Sequence, residues 1–518
     1  MPGGEKSWTF PRRLVACAVA VVLLGGGYLG LALDPYNRYA MLFAGRDTAA
    51  LILGLLAAAW LAAAGLQGLA RATGGRSDRW LAPWFYFFAV LAAFNLRPAL
   101  RLALLPHAPW LSGSVYYLLI WTLGGLLTAA GYAWRRMENG ASAGWRCSVF
   151  LWPLLPILAG NLLWAPHWRS AGPRPAELGP RAEGSGPPVV VVILDMIGYE
   201  DAFTPAGQVR GELPQLAAFA ETATVFHRAR SPGDETGRSL PGLLLQAEVD
   251  VVKLDRHEAR WRPLDAPAAP LLRAPEFARA LPYAFARAGY RRVLIGYYLP
   301  YAALLPGAFD AILADSYYGA ALGPRAGSGL ANAFLHQWVR FATESKDPAS
   351  ALAKQFGILD ALYGRYYRNL NAAVHAEGRR YLRDSLSPGD FAILHLPVPH
   401  QPYVFAADGG PSGFASLDPA GYPGQLVYAD RLFGEWMRAL RDAGRWDEAW
   451  VIVVSDHGPH FRDYAGTPAG KRHVPLLVKA PGQTDRRDVH DPIRLVDFTA
   501  LPGWPFAAPA EQADGDAP

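Results

Sequence analysis

Long apolar runs almost free of charge fill the first 170 residues of this chain. A bilayer core of ~30 Å takes ~20 apolar helical residues to cross. Five stretches meet that length: Leu14 to Leu33, Thr48 to Ala70, Leu81 to Leu104, Leu111 to Trp134 and Cys147 to Trp164. Arg97, Pro98 and Arg101 interrupt the third, whose apolar core ends near Asn95. The pattern predicts an α-helical transmembrane bundle of about five spans over residues 1–164.

The flanking charges orient that bundle. Nine basic residues sit on one side: Lys6, Arg12, Arg13, Arg71, Arg76, Arg79, Arg135, Arg136 and Arg146. Arg38, Arg46, Arg97 and Arg101 are the four on the other. Basic residues favour the cytoplasmic side. The N-terminus is therefore expected in the cytoplasm, and everything after Trp164 on the outer face of the inner membrane. Trp80, Trp84, Trp110, Trp134, Trp145 and Trp164 lie near span ends, where indole rings anchor at the interface. Four further spans argue against a cleaved signal peptide.

Charge divides in the same way. Residues 1–170 hold 14 Lys+Arg against 5 Asp+Glu, and the remainder 35 against 39. The basic excess thus belongs to the membrane half, and no nucleic-acid partner is implied. The two cysteines, Cys17 and Cys147, both fall in expected spans. The exported part can use neither a disulfide nor a cysteine nucleophile.

Residues 165–187, rich in Pro, Gly, Ala and Arg, read as a linker. From there the pattern changes. Val189-Val-Val-Val-Val-Ile-Leu ends in Asp195, as in a strand buried on both faces. Arg292 to Tyr298, Phe391 to Leu396, Ala449 to Ser455 and Val474 to Lys479 are similar. Helical patterns alternate with them at Leu213 to Thr222, Pro275 to Ala288, Leu330 to Glu344 and Tyr428 to Ala443. Alternation of this kind implies an α/β domain with a mostly parallel sheet flanked by helices, over residues 188–506. Residues 507–518 read as a disordered tail.

Ligands of such sheets gather at the carboxyl ends of the strands. The first strand ends in Asp195, and the Val451 strand runs into Ser455-Asp456-His457-Gly458. A carboxylate beside an imidazole at a strand end fits a divalent cation site, or merely a hydrogen-bonded cap. The Phe391 strand leads to His400-Gln-Pro-Tyr403. Ser231-Pro-Gly-Asp-Glu-Thr236-Gly-Arg-Ser239 enters an apolar helix, and a hydroxyl there suits either an anion or an ordinary cap. Lys471-Arg-His473 enters a fifth strand. His395 and His460 read as satisfied structural histidines.

In this order the motifs resemble the sulfatase-like branch of the alkaline phosphatase superfamily, over about Val189 to Phe498. The match adds Thr236-x-x-Ser239-x-Pro241, Ala288-Gly-Tyr, Gly296-Tyr-Tyr-Leu-Pro-Tyr301, His473-Val-Pro and Val496-Asp-Phe. Spans followed by such a domain look like the lipoteichoic acid synthase and phosphoethanolamine transferase architecture. The resemblance implies that Asp195, Asp456, His457 and Thr236 bind one divalent cation (Mn, Zn, Mg or Ca). It also implies that Thr236 is the nucleophile, with Ser239 its rival. His400 and His473 would hold the ester oxygens or protonate the leaving group.

Departures narrow the chemistry. Ser239-Leu-Pro-Gly-Leu243 lacks the arginine that formylglycine sulfatases need, and Met196 stands where they carry a second Asp. Asp430 has Gly434 where a two-zinc phosphatase needs His. The membrane transferases start with Glu at the place of Asp195, and their Leu-Thr-Gly is Leu245-Gln246-Ala247 here. The leading expectation is a membrane-anchored hydrolase or transferase of a phosphate-ester group on an envelope lipid or glycan. One alternative is a sulfuric ester hydrolase with an unmodified hydroxyl nucleophile. The other is an inactive membrane scaffold.

Overall fold

The computed structural model describes residues 9–24, 45–74, 178, 186–313, 358–462, 470–498 and 501, apart from short gaps at 256–257, 267, 297–298, 300 and 414–417. The chain forms two units, one of residues 1–172 and 326–363, the other of residues 173–325 and 364–518.

In the first unit, helices Phe10–Leu24 and Gly45–Ala72 are described. Cys17, Ala59 and Ala63 pack together, and small residues at such a seam let two helix backbones approach closely. Buried Arg13 donates to the Leu66 carbonyl at 2.8 Å. Leu56, Trp60 and Leu61 remain exposed. The segment Ile52–Ala72 is long and apolar enough to cross a membrane, by length and composition alone, and is the only such helix among the described residues. It overlaps the second expected span from Ile52 to Ala70. The first expected span begins in the Phe10–Leu24 helix. The third, fourth and fifth lie outside the described residues, so the five-span bundle rests on sequence.

The second unit is built on an eight-stranded sheet. Its strands are β1 (Val189–Leu194), β2 (Thr224–Phe226), β6 (Arg291–Ile295), β7 (Ala311–Ile312), β8 (Asp390–Leu396), β9 (Trp450–Ser455), β10 (Leu476–Lys479) and β11 (Arg487–Val489). Their order is β11-β2-β10-β9-β1-β8-β6-β7. All pairings are parallel except those of β10, which runs against β9 and β2. Two small sheets lie outside it, the hairpin of β4 (Val249–Asp255) with β5 (Glu258–Pro263), and β3 (Ala229–Arg230) with β12 (Ile493–Arg494).

The all-apolar run of β1 follows from its central place. Side chains alternate across a strand. Val190, Val192 and Leu194 enter one core, with Phe219, Tyr381 and Trp436. Val189, Val191 and Ile193 enter the other, with Leu244, Phe285 and Val454. Both faces are buried, so no position on β1 is left for a polar residue until the strand ends. Helices Pro214–Ala220, Ile358–Asp384 and Tyr422–Asp442 contribute to the first core. Thr236–Leu245 and Leu281–Arg287 contribute to the second. Gly378 lets the long helix approach Trp436: a Cβ there would stand 2.7 Å from the indole ring.

Candidate active site at the carboxyl edge of the sheet

Three neighbouring strands bring the first groups together. Leu194 pairs with Leu396 on β8 and with Ser455 on β9. Asp195 and Asp456 are therefore the next residues of adjacent parallel strands, and they leave the sheet at the same level. His457 follows. Ligand atoms of Asp195, Asp456 and His457 all lie within 4.8 Å of one another, and the three residues are buried.

The loop after β1 clamps this edge. Met196 takes a positive φ of 67°. Its N–H donates to Asp456 Oδ1 at 3.0 Å, and Ile197 N–H donates to Ser455 Oγ at 2.8 Å. His457 N–H donates to the same Asp456 oxygen at 2.9 Å. Asp456 Oδ2 is left over, and so is Asp195 Oδ1; both are buried and accept no hydrogen bond. These two oxygens lie 3.5 and 4.0 Å from His457 Nε2. His457 Nδ1 donates to the Gly458 carbonyl at 2.8 Å, which leaves the Nε2 lone pair facing the carboxylates. A buried anionic oxygen without a donor is costly. Two of them beside an imidazole lone pair form a donor set that fits a divalent cation.

Electrostatics agree with the crowding. Burial works against the Asp195 charge, but His400, His395 and His457 outweigh it and hold the carboxyl at about 2. Burial and the Asp195 charge push Asp456 up. Burial draws His457 down, yet Asp456 and Asp195 raise it above the ordinary range. The rises at Asp456 and His457 are the effects of neighbouring negative charge in a closed space, and the fall at Asp195 is the effect of the imidazoles around it.

Thr236 opens its helix, following the extended residue Glu235. Its Oγ1 stands 3.2 Å from His457 Nε2, and the residue is buried. Ser239, one turn on, donates to the Asp456 carbonyl at 2.5 Å. Its hydroxyl is thus engaged with the backbone. The far end of the helix is pinned by Gln246, in a left-handed conformation with φ 54°. The Gln246 amide donates to Leu495 O at 3.0 Å and its oxygen accepts from Phe498 N at 2.7 Å. That accounts structurally for the Val496-Asp-Phe motif.

His400 and His473 are placed differently. The His400 ring lies 6.4 Å from that of His457, at the edge of the cluster. Its loop is held by Gln425, whose amide donates to the His400 carbonyl at 2.7 Å. His473 has both ring nitrogens engaged away from the cluster, Nδ1 with Glu200 at 2.8 Å and Nε2 with the His227 carbonyl at 3.0 Å. It also stacks on Tyr199 at 4.4 Å. In this structure it ties the residues after β1 to the approach to β10.

Two histidines read as structural lie against the cluster instead. Buried His395 on β8 is 3.4 Å from Asp195 Oδ2 and 3.2 Å from the Tyr301 hydroxyl. Gly296 gives it room, since a Cβ there would stand 2.6 Å from His395 Cβ. The His460 ring lies 4.8 Å from that of His457. A titratable residue inside an apolar strand was the available signal for His395. For His460 the sequence offers only its place three residues after His457. Asp430 accepts from Gln215 N and Leu216 N at 3.0 and 2.8 Å, a helix cap with no second metal cluster among the described residues.

Comparison with known proteins agrees with this architecture. The sulfatase family profile matches residues 187–501, more than half of the chain. Arylsulfatase K of Danio rerio is 37% identical over 82 residues, which are 15% of this chain and only 16% of that protein's length. The phosphonate monoester hydrolase of Agrobacterium radiobacter is 16% identical, with a TM-score of 0.37 over 60% of this chain and 72% of that one. The lipoteichoic acid synthase LtaP from Listeria monocytogenes is 13% identical, with a TM-score of 0.36 over 61% and 70%. The profile match across the whole sheet shows that the chain belongs to the sulfatase family, with a sulfatase-like enzyme domain over residues 187–501.

Proposed function

We propose that this protein is a membrane-anchored phosphate-ester hydrolase or transferase acting on an envelope lipid or glycan, with Thr236 as nucleophile and one divalent cation. The observation that carries the reading is Thr236 Oγ1 at 3.2 Å from His457 Nε2, beside the unpartnered Asp195 Oδ1 and Asp456 Oδ2. Asp195, Asp456, His457 and Thr236 would hold the cation. Once bound, a divalent ion lowers the pKa of a hydroxyl and neutralises charge on the ester oxygens.

The chain's own residues supply the rest. Thr236 passes its Oγ1 proton to solvent water, and the oxygen attacks phosphorus. A Thr–O–P bond forms, the P–O bond to the leaving alcohol breaks, and that alcohol takes up a proton. His400, at the rim, is the group we assign to deliver it. Water or a second alcohol then attacks the same phosphorus and frees Thr236. Ser239, engaged with the Asp456 carbonyl, is assigned to positioning. His473 is assigned to holding the loop after β1 through Glu200.

The helix Ile52–Ala72 supports a membrane anchor, and the nine-to-four distribution of basic residues supports an extracytoplasmic catalytic domain. A second reading, sulfate-ester hydrolysis through the unmodified Thr236, draws on the sulfatase family match. The test is turnover of bis(4-nitrophenyl) phosphate and 4-nitrophenyl sulfate by full-length protein loaded with Mn, Zn, Mg or Ca. Preference for the phosphodiester is expected, with a phosphorylated peptide containing Thr236 in quenched reactions. Faster sulfate turnover would establish the second reading.

A further inference from the structure

Beyond the buried cluster, the next groups outward are basic. His460 is exposed, with its ring 4.8 Å from that of buried His457. Lys471 Nζ lies 3.3 Å from His460 Nδ1. The lysine donates to that nitrogen, so Nε2 of His460 carries the ring proton. The pair thus presents N–H donors and no acceptor. The backbone fixes both, because Gly458 N donates to the Lys471 carbonyl at 2.7 Å.

The flanking cations are committed elsewhere. Arg462 is paired with the buried carboxylate of Asp201. Arg472 is held by Glu248 at 2.5 Å and by the Ser231 carbonyl at 2.7 Å. Lys471 has no ion pair among the described residues. Phe461 is exposed, and its ring makes T-shaped contacts with those of Tyr403 and Tyr422.

Position decides what this pair can read. An ester reacting at Thr236 occupies the buried cluster. Lys471 sits one imidazole further out than His457, where the next substituent of the substrate would lie. Resting on the phosphoryl reading above, we infer that Lys471 and His460 form an outer anion subsite. It would select esters whose leaving group carries a second negative charge, a phosphate or a carboxylate. No bond is made or broken there; the contribution is attraction and orientation.

The experiment uses the metal-loaded full-length protein and two aryl phosphodiesters that differ only by a carboxylate on the leaving aryl ring. Wild type should have the higher kcat/KM for the carboxylate-bearing ester, and added salt should shrink the preference. Lys471→Ala should lower the ratio of the two kcat/KM values about tenfold, as expected for loss of a hydrogen bond to a charged group. Lys471→Glu should invert the ratio, and Lys471→Arg should restore most of it. Active variants with an unchanged ratio overturn the subsite and leave the phosphoryl reading standing. Wild type inert toward both esters but active on a sulfate ester overturns the reading itself, and the subsite with it. Metal content, measured alongside, should be equal in all variants.

Discussion

Two buried carboxylates close opposite ends of the same sheet, and their surroundings differ in kind. Asp390 begins β8. Its oxygens accept from Arg291 Nε at 2.9 Å, Arg291 Nη2 at 2.7 Å, the Tyr381 hydroxyl at 3.0 Å and Ser387 N at 2.9 Å. Asp195 follows β1, about 20 Å away along the strands. It has one oxygen without a donor and three imidazoles pulling on its charge. The first carboxylate is satisfied by the fold alone. The second is left incomplete, with Asp456 beside it in the same condition. Residues of one type, equally buried, are distinguished by whether the chain itself completes their hydrogen bonds. Completion marks structure and incompletion marks a place for something not covalently part of the chain.

The largest effect should come from the incomplete end. Thr236→Ala should lower turnover by several orders of magnitude while leaving the urea midpoint unchanged, because the side chain acts on substrate and not on the core. Thr236→Ser should keep partial activity, and Ser239→Ala should cost far less. Full activity in Thr236→Ala, or a phosphorylated Ser239 peptide, would dissolve the contrast as drawn.

Next is a pair of substitutions with opposite signatures. Asp390→Asn should destabilise the domain by about 3 kcal/mol, because it strands the buried Arg291 charge. Molecules that still fold should keep their activity. Asp456→Asn should do the reverse. Metal content, read by atomic absorption, and activity should both be lost. Stability of the metal-free protein should hold or rise slightly, since burial and Asp195 already disfavour that charge. A metal-free Asp456→Asn protein as unstable as Asp390→Asn would break the comparison.

The smallest expected effect lies beside the incomplete end, at the Glu200–His473 pair. Burial draws His473 down, but the Glu200 hydrogen bond and the His227 carbonyl more than offset it and raise it above 6.5. A raised imidazole stabilises the fold below its unfolded value and loses that contribution as pH rises through the folded one. Burial likewise opposes the Glu200 charge, and His473 holds that carboxyl below 4.5. That part is present above 4.5 and is lost as pH falls through the folded value. Wild-type Tm should therefore decline from pH 6.5 upward by about 1–2 °C more than that of His473→Gln. Parallel profiles would show that the pair contributes no pH-linked stability.

Much of the catalytic domain was legible in the residues. β1, β6, β8, β9 and β10 each lie where a mainly apolar run stands, unbroken in β1 and interrupted by His395 in β8, because a strand buried on both faces admits little else. The short strands β2, β7, β11 and β12 carry too few residues to show a period. The long helix Ile358–Asp384 was not expected, since much of its exposed surface is polar and its apolar stripe is thin. Asp195, Asp456 and His457 could be named together because Asp195 and Asp456 directly follow strands that end at one level, and His457 is the next residue of the chain. That much is local information.

Which hydroxyl, histidine and cation meet at that edge is not local. Thr236 and Ser239 share one helix turn, and only the approach of the Thr236–Leu245 helix to β9 turns one toward His457 and the other to the Asp456 carbonyl. His473 sits in a motif that suggested chemistry, yet its ring is taken by Glu200, 273 residues earlier. His395 and His460 look ordinary in sequence and lie against the cluster because the β8 register and the loop after β9 carry them there. The order of residues alone dictates the longer core strands and the carboxylates that follow them, since burial on two faces constrains composition residue by residue. The tertiary structure alone decided the partners of those groups, since a hydrogen bond or a vacant lone pair depends on what distant segments bring within about 3 Å.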